Sequence, residues 1–211
     1  MFSWLPGPAA NVIPTMTSPG SAKKWLIEIA WEVCHQVGGI YTVLRTKVPS
    51  TLERWNSNYL LIGPYHEQSA AIEFEEAPIE HSALKGALEA LNAKGLPCYY
   101  GRWLVKGRPQ VVLVDYRARF ESLDQDKYFL WKDHGISSPS SDSDINNSIA
   151  FGYAVTELLA ALCAALKPAP IAAQFHEWQA AVPIPRLKQR NLPISTIFIT
   201  HATQLGRCLA S

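Results

Sequence analysis

The chain has 211 residues, of which 48% are hydrophobic and 18% charged, and its 19 Lys and Arg balance 18 Asp and Glu. This composition is typical of a globular protein with a substantial core, and the near-zero net charge argues against a nucleic-acid binder held by bulk charge. Four cysteines stand far apart without a C-x-x-C pair, so we expect reduced, mostly buried thiols in a cytoplasmic protein.

The chain begins with a segment rich in proline and glycine that lacks both a basic start and a long apolar run. We therefore predict a flexible, Pro-rich tail over residues 1–23 without a secretory signal. A single folded domain is expected over residues 24–211.

The first half of that domain alternates between apolar runs and glycine-marked turns. Residues 24–31 are apolar apart from Lys24 and Glu28 and predict a buried strand, and the Gly38–Gly39 turn opens an apolar-periodic helix that reaches Leu52. Further elements follow: a strand at 58–62, a helix at 82–92, and strands at 98–104 and 111–115. The last two strands are close enough to form a hairpin or to lie side by side, so the sheet need not be purely parallel.

The second half begins with a polar stretch, residues 117–147, which we expect to be irregular, with Asp144 able to cap the next helix. Residues 149–166 are almost uncharged and nearly long enough to span a membrane. Because this segment carries Glu157 and has no counterpart elsewhere, we interpret it as a helix buried inside the domain. The remaining elements are a strand at 171–175, a proline-disturbed helix at 176–189 and a strand at 194–200.

Strands that alternate with helices predict an α/β fold, with a mostly parallel sheet covered by helices on both faces. Ligands of such sheets collect at the carboxyl ends of the strands. Three short sequences stand at predicted strand ends: Gly38–Gly39, His176–Trp178 and His201–Thr203.

The Gly38–Gly39 turn lets backbone amides at a helix start approach a phosphate or the oxygens of a sugar. The alternative is a tight strand-to-helix turn without a ligand. The turn matches neither G-x-G-x-x-G nor a P-loop, so neither NAD nor ATP binding is supported.

The two histidine motifs leave similar alternatives open. His176–Trp178 is not the zinc motif H-E-x-x-H, because position 180 is Ala, and no metal site is expected. His176 is either a structural hydrogen-bonding residue or a functional one, and Glu177 is by default a solvated first-turn residue. His201 follows an apolar strand, and Arg207 either reaches the same pocket to meet an anion or is a surface charge.

Several segments, in order from about residue 24 to residue 208, resemble the glycogen synthases of animals and fungi, with bacterial and plant starch synthases as more distant relatives. They are EIAWEV (28–33), VGGIYTVL (37–44), YLLIGPY (59–65) with Glu67-Gln68, GRWL (101–104), FHEW (175–178) and TIFITHAT (196–203) with LGR (205–207).

This resemblance implies a retaining glycosyltransferase in which two Rossmann-like domains face a cleft (the GT-B fold), with this chain matching the N-terminal domain. Its implied reaction transfers glucose from UDP-glucose or ADP-glucose to the non-reducing end of an α-1,4-glucan. The implied partners are therefore the glucan and the nucleotide-glucose. No cofactor, metal, nucleic acid or membrane is implied, and a homo-oligomer of the full-length protein is left open.

The resemblance also assigns roles to residues. His201 matches the histidine that lies against the transferred glucose, where its backbone carbonyl and side chain steady an oxocarbenium-like transition state, and Arg207 matches an arginine near the catalytic centre. The residues matched to donor or substrate binding are Gln36, Gly38, Gly39, His176, Glu177 and Thr203.

Two features depart from the family pattern. Gln36 stands where many relatives have a lysine that contacts the donor, and an amide hydrogen-bonds a phosphate without neutralising its charge. The family's second domain, which grips the nucleotide sugar, has no match in this chain. We therefore expect the isolated chain to be inactive. A non-catalytic, truncated relative that binds glucan or a partner is the alternative, favoured by Gln36 and the early end, whereas His201 and Arg207 favour an enzyme.

Overall fold

The computed structural model describes residues 23–201, in which strands and helices alternate around one sheet. The predicted tail lies outside this range except for Lys23, as do Thr203 and Arg207. The strands are β1 (Trp25–Ala30), β2 (Tyr59–Pro64), β3 (Phe74–Glu76), β4 (Cys98–Trp103), β5 (Gln110–Val114), β6 (Ile171–His176) and β7 (Ile194–Ile199). The helices are α1 (Gly39–Trp55), α2 (Glu67–Glu73), α3 (Ser82–Ala93), α4 (Leu123–His134), α5 (Ser143–Ala165), α6 (Glu177–Ala181) and α7 (Pro183–Gln189).

The sheet has the order β3-β4-β5-β2-β1-β6-β7, with β1 near its middle. All neighbours are parallel except the β3–β4 and β4–β5 pairs. The predicted hairpin is thus confirmed, since Gly101 of β4 pairs with Val111 of β5 in antiparallel register. The mostly parallel α/β architecture is confirmed as well.

One face of the sheet, which we call the α5 side, packs against α3, α5, α6 and α7. Except for Gln110, the buried strand residues on this side are apolar or aromatic, and Ile27, Ile29 and Phe175 are completely buried. Alternation along each strand places these side chains on one face. At about 25 cal/mol per Å² of apolar surface removed from water, such burial is the main driving force for folding.

The opposite face, the α1 side, packs against α1 and α2. Tyr41, Leu44 and Val48 of α1 recur at helical spacing and are buried against the sheet. This side also contains a buried carboxylate, Glu28, in the middle of β1. Helices therefore cover both faces, as the alternating elements predicted.

Helix α5 is long and apolar enough to cross a membrane by length and composition. Most of it, however, is buried within the fold: Phe151, Val155, Leu158 and Leu162 are among its completely buried residues. Two of its buried hydroxyls, on Ser148 and Thr156, donate to carbonyls of the same helix. The interpretation of this segment as a core helix is confirmed.

The prediction that residues 117–147 are irregular was wrong except over residues 135–142, which contain no helix or strand. A 3-10 helix spans Tyr116–Ser122 and α4 follows it directly. Helix α4 escaped detection because only Asp126 and Leu130 are buried along it, so it has no apolar stripe. The cap of α5 is Asp142, not Asp144, since its side chain accepts a hydrogen bond from the Ile145 amide.

Two smaller differences have local causes. Helix α2 and strand β3 were not predicted, because seven and three residues are too short to show a period. The single helix expected over residues 176–189 is divided into α6 and α7, with Pro183 at the first position of α7, where its missing N–H is tolerated.

The cysteines within the described range behave as expected. Cys34, Cys98 and Cys163 are buried and unpaired. Burial raises the pKa of Cys98 to about 12 and raises the pKa values of the other two, so these thiols are unreactive at neutral pH.

Candidate functional site

Three predicted strand ends meet at one rim of the sheet. Ala30 of β1 pairs with His176 of β6, and His176 pairs with Ile199 of β7, so the carboxyl ends of β1, β6 and β7 lie side by side. Neighbouring strands are about 4.8 Å apart, which places the ends of β1 and β7 about 10 Å from each other. The rim is therefore narrow enough for one sugar-sized ligand to contact residues from all three ends.

At the end of β1, the start of α1 is held by a carboxylate. One oxygen of Glu32 (Oε2) accepts hydrogen bonds from the Gly38 amide at 2.8 Å and from the Tyr41 amide at 2.9 Å. Glu32 is only 7% exposed. Its negative charge thus occupies part of the helix N-terminus, where an anionic ligand would otherwise be favoured.

The two glycines of this turn differ in the space around them. A Cβ on Gly38 would lie 3.2 Å from Glu32 Oε1, whereas a Cβ on Gly39 would meet nothing within 4 Å. Gln36, Gly38 and Gly39 are all exposed. A ligand can therefore approach the backbone at Gly39, although the neighbouring Gly38 and Tyr41 amides are already bonded to Glu32.

At the ends of β6 and β7 the two histidines are bonded to each other. His176 Nδ1 lies 2.9 Å from His201 Nε2, and the ring planes are nearly parallel, at 18°. His176 is 1% exposed, whereas His201 is open to solvent. Burial, aided by the charge of Lys47 and by His201, lowers the pKa of His176 to about 3, so this ring is neutral at physiological pH.

Glu177 fixes the backbone of His201. The His201 amide donates a hydrogen bond to Glu177 Oε1, so a carboxylate lies against the backbone of the residue that carries the exposed imidazole. Glu177 itself has a left-handed backbone with φ of 62°, a strain of about 1–3 kcal/mol for a residue that is not glycine. Strain of this kind concentrates at functional sites.

Beneath the rim, on the α1 side, lies a buried polar cluster. Glu28 Oε1 is 2.5 Å from Lys47 Nζ, and Glu28 Oε2 accepts a 2.7 Å hydrogen bond from the Tyr59 hydroxyl. Glu28 is 1% exposed, and burial together with this carboxylate raises the pKa of Tyr59. The cluster supports α1 and brings the cation of Lys47 near His176.

A second histidine pair lies at the ends of β1 and β2. The rings of His35 and His66 are 4.1 Å apart between centroids, and His35 Nδ1 is 2.8 Å from the Ser69 hydroxyl. Burial, then the neighbouring His35 and Arg117, lowers the pKa of His66 to about 4. Burial also lowers the pKa of His35, opposed by Glu32.

The structure thus brings Gly38, Gly39, His176, Glu177 and His201 to the same rim, with Gln36 exposed at its β1 corner. Thr203 and Arg207 lie outside the described residues. Between residues 23 and 201, no group of three or more His, Cys, Asp or Glu side chains is arranged to hold a metal ion.

The sequence reasoning did not assign roles to Glu32, Lys47 or the His35–His66 pair. Glu32 had one usable signal: it is an acidic residue six positions before Gly38, the N-cap of a helix that lacks a capping side chain of its own. The histidine pair had none, because its partners are 31 residues apart and meet only through the sheet.

The sequence of this chain is similar to that of glycogen synthases. The family described as Glycogen synthase matches residues 28–211. The chain is 42% identical over 186 residues to "Glycogen [starch] synthase" of Neurospora crassa, covering 88% of this chain and 26% of that protein. It is 38% identical over 208 residues to the human liver enzyme, covering 93% and 30%, and 40% identical over 188 residues to the Dictyostelium discoideum protein, covering 88% and 21%. The chain thus spans less than a third of the length of these relatives.

Proposed function

Because the chain belongs to the glycogen synthase family, we propose that it contributes one wall of the active site of an α-1,4-glucan glucosyltransferase. The enzyme transfers glucose from UDP-glucose or ADP-glucose to the non-reducing end of a glucan, with retention of configuration. The single observation that carries this proposal is the rim where His201, exposed but held at both ring and backbone, lies beside the open start of α1.

His201 is the catalytic residue in this proposal. Glycosyl transfer passes through a transition state in which positive charge develops on the sugar ring. A neutral imidazole hydrogen-bonds a sugar hydroxyl without adding positive charge, and the Glu177 carboxylate, bonded to the His201 amide, favours the developing cation. Arg207 is proposed as the second catalytic residue, since a guanidinium pairs well with an anionic group.

The donor is proposed to lie along the β1 end of the rim, against Gln36, Gly38 and Gly39. Gly39 provides the space for close approach, and Gln36 provides an amide donor for a sugar or phosphate oxygen. Glu177 and Thr203 complete the proposed substrate-binding set, and the buried His176 is proposed to contribute to it through its contact with His201.

Transfer also requires cations that face the departing nucleoside diphosphate. At the β1 end of the rim, the side chains of Glu32 and Gln36 are a carboxylate and an amide, and neither neutralises phosphate charge. We therefore propose that residues outside 23–201, among them Arg207, supply this charge and that residues 1–211 alone do not catalyse transfer.

The remaining proposals concern partners and location. The partners are the α-glucan and the nucleotide-glucose, without nucleic acid or membrane, in the cytoplasm. Buried, unpaired cysteines support a reducing compartment, and a homo-oligomer of the longer protein is compatible with the exposed surface.

The test is a His201→Ala substitution in the longer protein that contains this chain. We expect glucosyl transfer to fall by roughly 100-fold or more, with glucan binding retained, because an interaction made in the transition state is lost. His134→Ala, at the end of α4, is the matched control. A His201→Ala protein with wild-type transfer would contradict the proposed catalytic role, and a wild-type protein that binds glucan without transfer would favour the non-catalytic alternative.

A further inference from the structure

We propose that His176 is a positioning residue that holds His201 in its Nδ1–H tautomer, an inference that rests on the catalytic role proposed for His201. The observation behind it is the contact between His176 Nδ1 and His201 Nε2. The role differs from direct contact with substrate, because His176 is only 1% exposed.

The geometry is that of an in-plane hydrogen bond. The ring centroids are 5.2 Å apart while two ring nitrogens approach to 2.9 Å, and the planes differ by 18°. Rings that meet in this way lie edge to edge, in the plane that contains the nitrogen lone pairs, and do not overlap face to face. One nitrogen must therefore carry the proton and the other must accept it.

Burial determines which nitrogen carries the proton. His176 Nε2 is buried and has no hydrogen-bond partner among residues 23–201. If His201 were the donor, neutral His176 would carry its own proton on that buried Nε2, leaving an unsatisfied N–H. If His176 donates from Nδ1, only a bare acceptor is left unpaired, which is the more readily tolerated arrangement. His176 is thus the donor, and His201 Nε2 accepts.

This arrangement dictates what His201 presents to a ligand. With Nε2 occupied as an acceptor, the proton of the neutral His201 ring resides on Nδ1, so its remaining ring nitrogen is a hydrogen-bond donor. Glu177, the residue after His176, fixes the His201 amide at the same time. Consecutive residues at the end of β6 therefore fix the ring, the tautomer and the backbone of His201.

The experiment is long-range ¹H–¹⁵N NMR of the 211-residue chain labelled with ¹⁵N-histidine, at a pH where the rings are neutral. In the wild-type chain we expect His201 to carry its proton on Nδ1. In His176→Phe the donor is lost while the ring shape is kept, so we expect His201 to shift toward the Nε2–H form that free imidazole side chains prefer. His176→Asn retains an N–H donor near the original Nδ1 position and should restore the Nδ1–H signal.

His134→Phe is the control and should leave His201 in its wild-type tautomer. A wild-type His201 in the Nε2–H form would overturn the proposal without any variant, so a His176→Phe chain that fails to fold does not remove the test. An unchanged His201 tautomer in folded His176→Phe would overturn it equally. Because these spectra need no transfer activity, they separate this inference from the proposed function.

A kinetic readout in the longer protein then connects the tautomer to catalysis. We expect His176→Phe to lower kcat roughly tenfold or more at nearly unchanged KM, and His176→Asn to recover most of the loss. Equal losses in both variants would assign His176 a packing role and overturn the positioning role.

Discussion

The two sides of the sheet are built on different principles. On the α5 side, apolar strand residues meet α3, α5, α6 and α7 in a core that excludes charge from the strands. On the α1 side, Glu28 is buried within the sheet and His176 lies at its edge. The difference indicates that the α5 side mainly stabilises the fold, while the α1 side accepts buried polar groups to hold the rim in place.

The largest effect on stability is expected on the α5 side. Leu158→Ala removes a completely buried side chain, and we expect the free energy of unfolding to fall by about 3–4 kcal/mol, because a cavity remains. Leu104→Ala, at a position that is 45% exposed, is the matched control and should lose less than about 1 kcal/mol. Denaturant unfolding measures both, and equal losses would contradict the described burial.

The next prediction concerns how much the polar cluster on the α1 side contributes to the free energy of unfolding. Glu28→Leu leaves the Tyr59 hydroxyl and Lys47 without their partner, and we expect a loss of about 2–3 kcal/mol. Glu75→Leu, which breaks an exposed ion pair with Arg108, should lose less than about 1 kcal/mol. Tyr59→Phe should matter less in the Glu28→Leu background than in the wild type, and strict additivity would argue against the coupling.

A smaller effect is expected at the start of α1. Glu32→Ala frees the Gly38 and Tyr41 amides, so we expect about 1 kcal/mol of lost stability, similar to the loss of a helix cap. The same change removes a negative charge from the helix start, so we expect inorganic phosphate to bind there more tightly. The chemical shifts of the Gly38 and Gly39 amides measure this binding. Glu53→Ala, exposed on the same helix, should change neither quantity.

The smallest effect is a pH dependence of stability that arises from His66, in the histidine pair at the ends of β1 and β2. The pKa of His66 is lowered to about 4, so as pH falls below 6.5 the unfolded chain takes up the proton before the folded one does. Stability should therefore decrease between pH 6.5 and about 4, by on the order of 1 kcal/mol from His66 after allowing for solvent screening. His66→Phe should flatten this part of the unfolding curve, and a slope parallel to that of the wild type would contradict the assignment.

The sequence predicted the elements whose burial imposes a period. Every strand except β3, together with α1 and α5, followed from apolar patterns, because at least one side of each faces the core. Helix α4 was not predicted, because its large apolar residues Tyr128 and Trp131 are exposed and do not form an apolar stripe facing the core. Residues that contact one another across strands, such as His35 with His66, leave no local pattern at all.

The candidate site likewise has one part that the sequence predicted and another that it did not. Strand-end position alone predicted that Gly38–Gly39, His176 and His201 would share a rim, because parallel strands end together. Spacing could not predict that His176 is buried beneath His201, or that Glu32 binds the amides at the start of α1. Those contacts depend on side-chain directions and on packing between segments distant in the chain.

The most direct test of the division between the two sides is amide chemical-shift mapping of the ¹⁵N-labelled chain during titration with maltoheptaose. The account predicts shifts clustered on the β6 and β7 side of the rim, at Glu177 and His201, with α3 and α5 unchanged. Shifts centred on α3 and α5, or no shifts up to the solubility limit of the glucan, would contradict the assignment of the sugar site to the rim.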